Sequence, residues 1–116
     1  MDKAEYQSRL EELNSLVKKE DYEGALAVVE AVDWRRVKSL RTLGMVADVY
    51  EANKRYPEAK KILLMAYDRS SIGKGILYRL VEVSVKMKDF DEAIDFYNEF
   101  EAVARHDNSR YLLKYK

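Results

Sequence analysis

Three short segments recur along the chain: Asp21-Tyr22-Glu23-Gly24-Ala25, Arg55-Tyr56-Pro57-Glu58-Ala59 and Asp89-Phe90-Asp91-Glu92-Ala93. The aromatics Tyr22, Tyr56 and Phe90 lie 34 and 34 residues apart, the alanines Ala25, Ala59 and Ala93 keep the same interval, and no gap is needed to align them. A fixed period of this length marks a supersecondary unit that cannot bury its apolar face alone and must stack on its neighbours. The chain has 116 residues, enough for one core, so three such units are one domain.

The pattern around each anchor says what the unit is. After the aromatics, apolar residues follow helical spacing: Tyr22, Ala25, Leu26, Val29 and Val32; Tyr56, Ala59, Leu63, Ala66 and Tyr67; Phe90, Ala93, Ile94, Tyr97 and Phe100. A second amphipathic stretch precedes each anchor. Leu43, Val46, Ala47 and Tyr50 mark one; Leu77, Leu80, Val81 and Ser84 mark another in the same register. Leu10, Leu13, Leu16 and Val17 mark the first less regularly. Ala, Glu, Lys, Leu and Arg fill close to half of the positions, with only four Gly and one Pro, which favours helix throughout. Helix starts follow from local chemistry. Asp21 and Asp89 can cap, Glu92 completes a capping box with Asp89, and Pro57 fits only a first helical turn. Asp33 is read as the cap of a helix carrying Trp34. The spacing predicts seven helices, at about 3–18, 22–32, 34–53, 56–69, 74–87, 90–105 and 109–116.

The period and its anchors resemble the tetratricopeptide repeat (TPR) family, in the form carried by bacterial repeat proteins. The second repeat matches through Leu43, Val46, Ala47, Tyr50, Tyr56, Ala59, Leu63 and Ala66, and the third through Leu77, Leu80, Phe90, Ala93, Tyr97 and Phe100. Val81 stands where a small residue is usual. The first repeat matches mainly at Tyr22 and Ala25, with Leu13 in place of a small residue and Arg9 in place of an aromatic. Glu20, Lys54 and Lys88 occupy the usual turn glycine, and Val37, Ser71 and Arg105 the usual closing proline. The resemblance covers residues 6–116, with repeats at about 6–39, 40–73 and 74–107 and the opening of a fourth at 108–116. It implies an all-α fold in which antiparallel helix pairs stack into a short right-handed solenoid. The apolar residues Tyr111, Leu112, Leu113 and Tyr115 lie around nearly the whole last helix, so the chain is expected to be the front part of a longer repeat protein. An exposed end of this kind is expected to pair two copies through the C-terminal helix.

In the family the first helix of each pair lines a concave groove. Carried over position by position, the groove presents Asn14 and Lys18 from the first repeat, Arg41, Met45, Asp48 and Ala52 from the second, and Tyr78, Arg79, Glu82 and Lys86 from the third. A subset of the family clamps terminal carboxylates with Lys, Asn, Asn, Lys and Arg. Those positions here hold Leu10, Asn14, Met45, Gly75 and Arg79, so the clamp is not expected. The mixed charge, with Met45 and Tyr78 as adaptable apolar contacts, suits a peptide or helix of another protein.

Other chemistry finds little support. His106 is the sole histidine and falls in an expected inter-helix connection, without convergent partners for catalysis or a metal. Asp89, Asp91, Glu92 and Asp95 lack the glycine a calcium loop needs, since Ile94 stands there. Gly73-Lys74-Gly75 lacks P-loop spacing. Twenty-one basic and twenty-one acidic residues cancel, leaving no net field for nucleic acid or an anionic membrane. The chain has no Cys, no membrane-length apolar run and no signal-peptide pattern, which fits a cytoplasmic protein. The expected function is therefore a non-enzymatic protein-interaction scaffold without cofactor or metal. The alternatives are an RNA-binding helical repeat, or a helical accessory domain of a larger enzyme or regulator.

Overall fold

The computed structural model describes residues 2–70 and 73–114, with side chains described only as far as residue 105. Six helices account for most of it: α1 (Lys3–Lys18), α2 (Tyr22–Glu30), α3 (Leu40–Ala52), α4 (Tyr56–Arg69), α5 (Lys74–Lys86) and α6 (Phe90–Lys114). Their starts have local causes. Asp2 accepts a hydrogen bond from Glu5 N at 2.8 Å, Asp21 from Gly24 N at 3.0 Å, Ser39 from Thr42 N at 3.2 Å and Asp89 from Glu92 N at 3.3 Å. Pro57 occupies the first turn of α4, where its missing N–H costs nothing. Gly73, at φ 71°, turns the chain into α5 in a left-handed conformation that suits glycine.

Within each pair the helices are joined by the same turn. Glu20, Lys54 and Lys88 adopt φ of 60°, 59° and 62°. The following N–H reaches back five residues each time: Asp21 to the Leu16 carbonyl, Arg55 to Tyr50 and Asp89 to Ser84, at 2.9, 2.8 and 3.0 Å. This is the Schellman closure of a helix C-terminus, made three times at the 34-residue interval.

Each helix packs on the next in sequence, giving antiparallel pairs α1–α2, α3–α4 and α5–α6 stacked along the chain. Polar ties run within each of two layers. Among the second helices, Arg55 bridges to Glu30 at 2.9 Å, Lys60 pairs with Glu92, and Tyr67 meets Glu99 at 3.5 Å. Among the first helices, Arg79 of α5 reaches back to α3. Between the layers lies a continuous core of Leu13, Val29, Leu43, Val46, Leu63, Leu77, Leu80 and Val83, with Ala25 and Ala59 fully buried and Ala93 nearly so. Small residues at these crossings let the backbones approach. Ala59→Leu should therefore lower stability by roughly 1–3 kcal/mol through overpacking. An unchanged melting curve would show that the crossing has been misplaced.

Two expected boundaries are corrected. The helix predicted over 34–53 begins only at Leu40, and Asp33 caps no helix. Its carboxylate instead accepts from the Arg35 backbone N–H at 3.0 Å and from the Arg35 guanidinium at 2.8–3.2 Å. Those bonds hold its carboxyl far below the usual carboxylate range, the side-chain bond being the largest cause. Trp34, almost fully buried, donates from Nε1 to the Val29 carbonyl at 2.8 Å and so ends α2 at Glu30. Secondly, the helices predicted at 90–105 and 109–116 are one helix as far as Lys114, so position 106 lies within a helix and not in a connection. No Gly or Pro interrupts residues 101–114. The expected count of seven helices is thus six among the described residues. The side chains of His106, Tyr111, Leu112, Leu113 and Tyr115 lie outside the described residues.

Candidate functional site

The layer formed by α1, α3 and α5 carries all ten residues expected to line a groove, Ala52 at the exposed end of α3 among them. Asn14, Lys18, Arg41, Asp48, Tyr78, Glu82 and Lys86 are exposed. Met45 is half-buried against the core, and Arg79 is also half-buried. Arg79 does not project freely, as its charge and position would suggest. Its guanidinium donates to the Gly44 carbonyl at 3.2 Å, to Asp48 at 2.5 Å and to Glu51 at 3.0 Å, bridging α5 to α3. A Cβ at Gly44 would lie 3.4 Å from the Arg79 Nη1, in close contact with the guanidinium. Lys86 extends the cluster, 3.9 Å from Glu51 and 5.7 Å from the centre of the Tyr56 ring.

The Asp48 carboxyl is raised above the usual carboxylate range. Desolvation is the largest cause, the Arg79 charge opposes it, and the Glu51 charge adds to it. More than half of the Asp48 side chain is nonetheless exposed, so solvent screens these contributions. A carboxylate raised on folding destabilises the fold as pH climbs through its ordinary range, and its protonation in mild acid relieves that effect. Asp48 is thus a weak brace for α3 and α5, while Glu51, with much less of its side chain exposed, is the firmer partner of Arg79. Replacing Arg79 by Glu would place three carboxylates together. It should cost about 1–2 kcal/mol of stability, seen in denaturant unfolding, in addition to any effect on a ligand.

The remaining groove residues are not gathered into one cluster. Arg41 on α3 and Glu82 on α5 are exposed, carry opposite charges and make no hydrogen bond or ion pair with a described residue. Asn14 and Lys18, on α1, share no polar contact with the α3 and α5 group.

A feature not anticipated from charge lies at the start of the same seam. A hollow of about 450 Å³ opens between α3 and α5, lined by Leu40, Gly44, Leu63, Ala66, Gly75 and Ile76, with Arg79 at its edge. Leu40, at the rim, is 41% exposed. Around Gly75 there is open space: nothing lies within 4 Å of where its Cβ would be. Two glycines on facing first helices are the sequence signal of this hollow, since each removes side-chain bulk from a helix surface.

The end of the stack offers a second surface. Tyr78, Val85, Phe90, Ile94 and Tyr97 are all 46–57% exposed, and Phe100 joins Tyr78 and Tyr97 at ring separations of 5.6 and 6.3 Å. One repeat earlier, the counterparts of Phe90, Ile94 and Tyr97 are Tyr56, Lys60 and Leu63, and Leu63 is buried where α5 packs on α4.

Among the described residues no group of three or more His, Cys, Asp or Glu is placed to hold a metal ion, and no helix is long and apolar enough to cross a membrane. No family model and no curated protein matches the chain. Solved structures do: one described as "MamA RS-1 ArsTM double mutant" superposes with a TM-score of 0.73 at 18% identity, over 90% of this chain. MamA is a TPR-containing protein, and this chain spans 58% of that one. The fold is accordingly an all-α, TPR-like stack of helix pairs.

Proposed function

We propose that the protein is a non-enzymatic interaction scaffold that holds a peptide or helix of another protein along the α1, α3 and α5 layer. The hollow between α3 and α5 carries this reading. It is apolar at its floor, and Lys74 and Arg79 bring positive charge to its lining. Such a site takes one apolar side chain of a bound segment and fixes its direction by charge. A basic stripe, which an RNA-binding solenoid needs, is not what this layer offers: Asp48, Glu51 and Glu82 interleave with Arg41, Arg79 and Lys86.

Gly75→Leu tests the site directly. The added side chain enters open space and replaces glycine in a helix, so stability should hold or rise. With the protein as bait, partners captured by the wild type should be lost by Gly75→Leu. Arg41→Glu and Glu82→Lys should weaken the same partners about tenfold, by opposite effects on charge. An unchanged set of partners across all three variants would move the interface elsewhere.

Pairing of two copies is proposed at the exposed end face of the third pair. The face of α1 at the other end carries Arg9 paired with Glu12, so head-to-tail stacking would bury charge against Phe90 and Tyr97. The end face is therefore its own best complement, and a neutral chain does not repel its copy. The five half-exposed side chains offer roughly 400–500 Å² per chain, so about 800–1,000 Å² once doubled, the size of a weak dimer. Light scattering at rising concentration should show a dimer that Ile94→Glu removes. A monomer at all concentrations would end this reading and leave the groove untouched.

A further inference from the structure

We propose that the cleft between the start of α1 and the 31–39 connection binds an acidic peptide segment with an interleaved apolar side chain. This site is separate from the α3–α5 hollow and does not depend on the reading given for it. The cleft is a place where the chain departs from its own repeat. The helix α2 stops at Glu30, whereas its counterpart α4 runs to Arg69, 14 residues against nine. The interval is still 34 residues, so the length not used in helix becomes the connection.

That connection is built, not slack. Trp34 anchors it to Val29, the Val37 N–H donates to the Trp34 carbonyl at 3.1 Å, Asp33 locks Arg35, and Arg69 of α4 donates to the Arg35 carbonyl. The result is a cleft of about 860 Å³ with Tyr6, Val32 and Val37 in its lining. That volume exceeds what a lone phosphate or carboxylate fills and lies within the range of peptide and small-ligand sites.

The charge at the cleft is unbalanced in a chain that is balanced overall. Asp33 neutralises Arg35, and Asp2 caps α1 but keeps its negative charge, so the four cations and two carboxylates of the lining leave a net charge of +2. Lys3, Arg36 and Lys38 remain, all exposed and making no hydrogen bond or ion pair with a described residue. Arg36 and Lys38 flank Val37, which packs inward on the core and leaves the two cations outward. Cations spaced around an apolar floor match carboxylates spaced around an apolar side chain. A nucleic acid fits less well, because three cations neutralise few phosphates and Trp34 is buried where no base can stack on it.

Trp34 provides the readout. It is the sole tryptophan, and Tyr6 of the cleft packs edge-on against it at 6.3 Å. The probe is a synthetic peptide alternating Glu and Leu, titrated into the full chain while Trp34 fluorescence is followed. The expected result is a saturable change, weakened by added salt. The double variant Arg36→Glu/Lys38→Glu should weaken binding about tenfold or more with an unchanged helical circular dichroism spectrum. Lys3→Glu, on a different element, should weaken it in the same direction. Equal binding by these variants would overturn the proposal. So would equal binding of a Lys-Leu peptide of the same length, or tighter binding of a single-stranded RNA.

Discussion

Replacing Trp34 by alanine should lower the stability of the protein by about 3–5 kcal/mol, the largest loss expected from any single side chain here. Three effects act together. The indole is almost wholly buried, so its removal leaves a cavity under the 31–39 connection. The Val29 carbonyl loses its short hydrogen bond from the indole and keeps only the weaker backbone contacts from Ala31 and Val32. Tyr6 loses the ring against which α1 is seated. A domain of this size has only about 5–15 kcal/mol in total, so the midpoint of urea unfolding should fall by roughly a fifth or more. Far-UV circular dichroism reads it, because the fluorophore is gone. Trp34→Phe separates the contributions: it retains most of the volume and should cost about 1–2 kcal/mol for the lost N–H. A Trp34→Ala variant within about 1 kcal/mol of wild type would contradict this account of the connection.

Much of the architecture is legible in the sequence because its causes are local. The starts at Tyr22, Tyr56 and Phe90 are set by Asp21, Pro57 and Asp89, all within a few residues of the helices they open. The alanine crossings are legible because the interval is fixed, so each small residue in one repeat predicts the next. The 31–39 connection is not legible, for a physical reason. Asp33 carries the same local signal as a helix cap, and what decides against a helix is tertiary: the buried indole of Trp34 and the reach of Arg69 from 34 residues away. The length of α6 fails for the opposite reason. A repeat predicts a turn near 106, yet no residue in that stretch breaks a helix.

The residues expected to line a groove divide in the same way. Register alone places Asn14, Lys18, Arg41, Met45, Asp48, Tyr78, Arg79, Glu82 and Lys86 on one layer, because side chains at fixed helical positions share a face. Register cannot say which charges are already spent on one another. Arg79 reads as an exposed groove cation, yet Asp48, Glu51 and the Gly44 carbonyl hold it. The hollow beside it arises from side chains that are missing, at Gly44 and Gly75, and a list of candidate contacts passes over residues with nothing to offer.

Substituting glycine at Glu20, Lys54 and Lys88 together should stabilise the protein by about 2–3 kcal/mol. At all three the backbone sits near φ 60°, where a Cβ crowds the following carbonyl. Glycine removes that crowding, and its extra freedom in the unfolded chain returns only part of the gain. Little is lost with the side chains, which are exposed and make no hydrogen bond or ion pair with a described residue. The sites lie one repeat apart with separate neighbours, so their effects should add. For a chain of this length the sum is a rise in Tm of roughly 6–15 °C. The control is alanine at the same positions, which shortens the side chain but keeps the Cβ. If the left-handed turn is the cause, glycine should exceed alanine by about 1 kcal/mol at each site. If Lys54→Gly and Lys54→Ala melt together, the strain does not reside in the turn. The Schellman closures from Asp21, Arg55 and Asp89 would then be stabilised by the helix packing around them and not by the conformation at their centre.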